Sequence, residues 1–356
     1  MFPPPPPQPR AQAGDAAPTR STDNDAAVAR LSAAQKGYIN DPYVKHLVPR
    51  AHLLPPRPPL INIGTYVRSA GIDELVNQWM QLSRRAGKRC QILSLGSGSD
   101  TRFWRIATGP LNDSLHAYVE VDFPEITTKK TMAIRKSKDL SSGLGDPTAI
   151  SLAQGGTALH SSRYHLLPAD LRSSPSDTLG PLLFSPTIEG HPAILDPSLP
   201  TLLLFECVLA YISPTSSSRL LEWFVETFKK AQGGILGCVV YEMFGLNDSF
   251  GRVMINNLLE RQITLPGVEP YTTVESLSNR FLSTGFTAAC ALTLKEIKRA
   301  YIDEEELQRI SKLEFLDETE ELDLVLAHYS ISWGLYLGDL SSSPTWGNWG
   351  LTRKRN

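Results

Sequence analysis

The chain has 356 residues, 41% of them hydrophobic and 20% charged, which is ordinary composition for a globular protein with a sizeable core. Lys and Arg number 35 against 37 Asp and Glu, a formal net charge of -2, which argues against a protein that holds long stretches of nucleic acid. Cys90, Cys207, Cys238 and Cys290 form no C-x-x-C pair and the histidines show no metal-ligand spacing, so reduced, buried thiols are expected, with no disulfide framework and no metal.

In chain order, MFPPPPPQPR lacks the apolar core of a signal peptide. Residues 1–25, rich in Pro, Ala, Asp and Ser, read as a disordered tail. AAVARLSAAQKGYIN reads as a short helix ending at the Asp41–Pro42 turn, and HLLPPRPPL as a stiff extended connector. In NIGTYVRSAGIDELVNQWMQLSRR, Val67, Ile72, Leu75, Val76, Trp79 and Leu82 recur at near-helical spacing. Gly71 leaves open one helix or two meeting there.

Five short apolar runs follow: QILSL, AYVEV, RYHLLPA, TLLLFE and GGILGCVVYE. Several are apolar at successive positions, as strands buried on both faces are. Helical stretches such as RLLEWFVETFKKA lie between some of them, and this alternation predicts an α/β fold with a doubly wound, mostly parallel sheet. The polar stretches 139–162 and 173–199 read as surface insertions. The C-terminal third reads as a helix in VESLSNRFLSTGF, an acidic helix in DEEELQRISKLEFLDETEEL, a final edge strand in HYSISWGLYL and a flexible tail over 339–356. The longest apolar run, TLLLFECVLAYI, is interrupted by Glu206 and too short to span a bilayer, so a soluble cytoplasmic protein is expected.

Ligands of an open parallel sheet sit at the carboxyl ends of its strands. The first such end is LSLGSGSDT, where Gly96 and Gly98 let the backbone pass close to a ligand and turn into a helix N-terminus. A dinucleotide fingerprint needs a third glycine, and Thr101 stands there instead. YVEVD ends in Asp122, which can accept both hydroxyls of a ribose. PADLR supplies Asp170 for an adenine amine and Leu171 to cover the ring. Glu206 lies inside an apolar run, where a carboxylate needs a cationic partner, and a sulfonium or ammonium on the ligand would provide one. Together these strand ends suit S-adenosylmethionine better than NAD, with Arg30, Arg68 and the first turn after Gly98 as candidates for the methionyl carboxylate.

At this point LSLGSGSDTRFWR, YVEVDFPEI, PADLR, LLLFECVLAYISP and YEMFGLNDSFGRVMINNLLERQITLPGVE resemble the leucine carboxyl methyltransferases. Upstream NDPYVKHLV and INIGTYVRSAG, and downstream SKLEFLDETEELDLVLAHYSISW, extend the resemblance over residues 26–335. It implies a seven-stranded methyltransferase fold with extra N-terminal helices, and S-adenosylmethionine held by Gly96, Asp122, Asp170, Leu171 and Glu206. Arg68 would contact the cofactor and face the substrate, Tyr211 would bind the substrate carboxylate, and Arg30 stands where the family carries a lysine. The implied partner is the C-terminal tail of the protein phosphatase 2A catalytic subunit, met by a monomer without nucleic acid or membrane. The related enzyme that modifies a tRNA base carries a kelch propeller, for which this chain has no room. A small-molecule acid as acceptor is the other alternative.

Overall fold

In a computed structural model describing residues 17–186 and 192–355, nine strands form a single sheet. They are β1 (Cys90–Leu95), β2 (Leu115–Asp122), β3 (Ser151–Ala153), β4 (Ala158–His160), β5 (Tyr164–Pro168), β6 (Thr201–Glu206), β7 (Ile235–Met243), β8 (Ala288–Thr293) and β9 (Tyr329–Leu337). Their spatial order is β3-β4-β5-β2-β1-β6-β7-β9-β8. The five apolar runs are β1, β2, β5, β6 and β7, mutually parallel. β1 and β7 are buried at every position, because helices cover both faces of the sheet. Packed on one face are the long Pro59–Arg85 helix and its neighbours, and on the other the helices Pro175–Phe184 and Pro214–Lys229.

Several expectations need correction. HYSISWGLYL is β9 but not an edge: it runs antiparallel between β7 and β8. The edge strand is β8, AACALT, whose small and half-exposed residues carry little pattern. Beyond the expected seven strands, β3 and β4 form a hairpin on the far edge, turned at Gly155 and Gly156 with φ of 68° and 90°. They arise from the 139–162 stretch, so it is sheet as well as surface. The 173–199 stretch contains the Pro175–Phe184 helix, which buries Leu179 and Leu183, and Leu195 is buried beyond it; residues 187–191 lie outside the described residues.

The Pro59–Arg85 helix is unbroken through Gly71, which is glycine for packing: a Cβ there would lie 2.6 Å from Cδ1 of Ile331 on β9. The acidic segment is two helices, Glu304–Ser311 and Thr319–Ala327, each with its glutamates in the first turn, where they favour the helix dipole.

Both termini are more ordered than expected. A helix spans Ala17–Gln35, so the last part of the stretch read as a tail is helical, tied down by ion pairs of Asp23 and Asp25; the proline run lies outside the described residues. At the other end Trp346 and Trp349 are buried with ring centroids 4.5 and 4.9 Å from that of Trp79, and Trp349 Nε1 donates to the Leu75 carbonyl at 3.0 Å. The aromatic area of these two side chains outweighs the polar composition around them. Among the described residues no helix is long and apolar enough to cross a membrane.

Candidate active site

β1 lies between β2 and β6, at the point where the strand order reverses, and a crevice opens at the carboxyl ends of these strands. Gly96 begins the turn there with φ 66°, and a Cβ on it would come within 2.5 Å of Val208 Cγ2. Only glycine fits that position. The Gly98 amide donates to Asp122 Oδ2 and the Phe123 amide to Oδ1, both at 2.7 Å. Each carboxylate oxygen keeps a free lone pair for a ligand hydroxyl. Burial pushes the Asp122 pKa up to about 6, although these two amides favour the ionised form.

At the end of β5, Asp170 is paired in bidentate fashion with Arg172, through Nε to Oδ1 at 2.9 Å and Nη2 to Oδ2 at 2.6 Å, and Leu171 is buried beside it. Arg172 and Arg20 both lie over the Phe123 ring, at 5.4 and 5.8 Å.

Glu206, at the end of β6, does not wait for a cationic ligand, as its sequence context suggested. Arg68 reaches Oε2 through Nε at 2.8 Å and Nη2 at 2.7 Å, and Arg102 reaches Oε1 through Nη2 at 2.9 Å. Burial works against ionisation of Glu206, but the two guanidiniums outweigh it and hold its pKa below the ordinary carboxylate range. Arg68 also stacks 4.4 Å from the Tyr241 ring centroid, and that ring is parallel to Tyr329. Arg102 in turn binds Asp73 through Nε at 3.0 Å and Asp100 through Nη1 at 2.8 Å, while Arg105 grips Asp73 at 2.5 Å.

Arg30 faces the same space but is committed to Asp41 at 2.5 Å and to Ser69 Oγ at 3.1 Å. Asp41, which is fully buried, also accepts from the Thr101 hydroxyl and from the Tyr43 and Val44 amides. Tyr211 closes the short helical turn Leu209–Tyr211 after β6, and burial pushes its phenol pKa up, so it stays protonated and able to donate. Between Glu206 and that turn, Cys207 takes φ 57°, a strained backbone for a residue with a Cβ, held by its amide donating to the Tyr241 carbonyl at 2.7 Å.

All the residues singled out from the sequence, Arg30, Arg68, Gly96, Gly98, Asp122, Asp170, Leu171, Glu206 and Tyr211, line one cavity of 380 Å³. Its lining also includes the apolar side chains of Ile212, Met243, Met254 and Leu258. Sequence reasoning missed two groups. Arg102 and Arg105 were visible only as two arginines flanking an aromatic pair, with nothing to say that one would be buried at the site. Asp23 and Asp25 come from the stretch read as a tail: the Ser99 amide donates to Asp23 at 2.7 Å, Lys129 pairs with it at 3.2 Å, and Asp25 pairs with Arg261; Asp23, Asp25, Ser99 and Arg261 line the cavity.

A sequence profile described as leucine carboxyl methyltransferase matches residues 19–225. The chain belongs to the leucine carboxyl methyltransferase family. It is similar to leucine carboxyl methyltransferase 1 of Cryptococcus neoformans, with 46% identity over 94% of this chain and 97% of the relative. The enzymes of that name from Aspergillus fumigatus and Bos taurus are each 36% identical, over 93% and 88% of this chain and 85% and 88% of their own lengths. The family's cofactor is S-adenosylmethionine, and the cavity fits it. Gly96 makes a positive-φ turn packed against Val208, Asp122 offers an acceptor for a ribose hydroxyl, and Asp170, Leu171 and Glu206 line the same cavity. Among the described residues no group of acidic, histidine or cysteine side chains could hold a metal ion.

Proposed function

We propose that this protein esterifies the C-terminal leucine carboxylate of the protein phosphatase 2A catalytic subunit. When bound, S-adenosylmethionine supplies an electrophilic methyl group. The observation that carries the reading is that Arg68 and Tyr211 line the same cavity as the apolar side chains of Ile212, Met243, Met254 and Leu258. A cation, a hydroxyl and apolar side chains in one cavity suit an aliphatic residue that ends in a carboxylate.

The nucleophile needs no base. A terminal carboxyl has a pKa of roughly 3.5 and is ionised at neutral pH. The task of the chain is to strip its water and aim one oxygen. Arg68 is suited to hold it without quenching it, because the guanidinium already shares its charge with Glu206. Tyr211 donates a second, neutral hydrogen bond.

The test is methyl transfer from labelled S-adenosylmethionine to the purified catalytic subunit, with a subunit lacking its last leucine as control. Label on the intact subunit alone, released by mild base as methanol, supports the reading. No label despite cofactor binding redirects it to small-molecule acids and modified tRNA.

A further inference from the structure

Among the described residues, Arg102 pairs with three separate carboxylates. Arg102 opens the short helix after the glycine turn, with 3% of its side chain exposed. Its Nε, Nη1 and Nη2 each go to a different carboxylate, Asp73, Asp100 and Glu206, at 3.0, 2.8 and 2.9 Å. Around Glu206 stand Arg68 from the Pro59–Arg85 helix, Arg102 and Asp100 from the glycine turn, Tyr241 from β7 and Cys207 next in the chain. Arg68, Arg102 and Arg105 thus face Glu206, Asp100 and Asp73, three positive charges against three negative.

We infer that Arg102 is the positioning residue of this site: by holding Glu206 and cancelling its charge, it keeps the cluster neutral so that an anionic acceptor can enter beside a cationic donor. This rests on the donor pocket and the carboxylate acceptor proposed above. Without Arg102, Glu206 would keep Arg68 and Asp73 would keep Arg105, but Asp100 would face only Arg30 and Lys130, which are already paired with Asp41 and Glu120, so the site would carry a net negative charge. Such a site favours the sulfonium and repels the carboxylate that must attack it. Glu206 would also be free to take both edges of Arg68, withdrawing it from the cavity. Arg102 prevents this by occupying Oε1 and leaving only Oε2 to Arg68. The three-pronged grip suits arginine, whose five donors lie in one rigid plane; lysine reaches one carboxylate at a time.

The experiment compares two ligands of different charge in the absence of any acceptor. S-adenosylmethionine carries one positive charge more than S-adenosylhomocysteine. Calorimetry on wild type, Arg102→Met, Arg102→Lys and the charge-balanced double variant Arg102→Met with Asp100→Asn gives the ratio of their affinities. One added unit charge at roughly 8 Å, in an effective dielectric of about 20, shifts that ratio on the order of tenfold to thirtyfold towards S-adenosylmethionine in Arg102→Met. The double variant and Arg102→Lys return it to within about threefold, since both restore neutrality. If both affinities and thermal stability fall together and the ratio stays put, Arg102 is structural and the inference is overturned. Should Arg102→Met fail to fold, the double variant and Arg102→Lys still decide: the same shifted ratio in these neutral proteins refutes the charge argument. Because no acceptor is present, these outcomes are independent of whether the phosphatase subunit is the substrate. With a functioning acceptor, Arg102→Met also raises KM for the acid more than it lowers kcat.

Discussion

Replacing Arg68 by lysine asks most directly whether its shape, and not merely its charge, matters. The guanidinium gives two charge-assisted hydrogen bonds to Glu206, at 2.8 and 2.7 Å, and lies 4.4 Å from the centroid of the Tyr241 ring. Lysine keeps the charge and can make one of those bonds, but it loses the fork that lets one group bind Glu206 and an incoming carboxylate together. A charged hydrogen bond contributes about 1.5–3 kcal/mol, and a partly buried cation–π contact about 0.5–2 kcal/mol. Only 25% of the Arg68 side chain is exposed, so solvent screens little of this. Allowing for partial compensation by the ammonium, about 2–4 kcal/mol of transition-state binding is lost. That corresponds to a fall of roughly 30- to 1000-fold in kcat/KM for the acid acceptor. The assay is initial-rate transfer of labelled methyl, with S-adenosylhomocysteine affinity measured separately by calorimetry. The fall in kcat/KM should exceed any loss of that affinity. A lysine variant within threefold of wild type would mean that Arg68 does not clamp the carboxylate.

Three further outcomes follow from the geometry. Asp122→Asn keeps the hydrogen-bonding shape but removes the charged acceptor, so S-adenosylhomocysteine should bind about 10- to 100-fold more weakly by calorimetry, equivalent to about 1.4–2.8 kcal/mol. In the wild type the Asp122 pKa is raised to about 6 against 3.8 for the unperturbed group. Its folded form therefore binds the proton better, so its contribution favours the native state at low pH and is lost as pH rises from about 4 to 6. Cofactor affinity should move the opposite way, weakening as pH falls below about 6, and the Asp122→Asn profile should lack that step. Trp349→Ala removes a buried ring edge-on to Trp79 and the Nε1 bond to Leu75, at a cost of about 3–5 kcal/mol in urea unfolding; an unchanged midpoint would contradict the docked C-terminus. Asp23→Ala releases the carboxylate held by the Ser99 amide and Lys129, and the first turns of the Ala17–Gln35 helix should lose hydrogen-exchange protection worth about 1–2 kcal/mol.

What the sequence alone determined was local. Short runs of successive apolar residues alternating with helical stretches fit strands covered on both faces, so the five parallel strands were legible, and with them the strand ends that carry Gly96, Asp122, Asp170 and Glu206. The spacing of Val67, Ile72, Leu75, Val76 and Trp79 likewise gave away the long helix, because period 3.6 leaves a mark in any chain that buries one face. The tertiary structure decided everything that depends on distant partners. β8 is an edge because β9 inserts beside β7, a choice made by pairing and not by composition. Glu206 is ionised without a ligand because Arg68 and Arg102, 138 and 104 positions earlier in the chain, converge on its two oxygens. Asp23 belongs to the site only because its helix folds back over the glycine turn, and Trp346 and Trp349 belong to the core only because Trp79 is there to meet them. Periodicity records which face of an element is buried; it carries no information about which charge will stand opposite another.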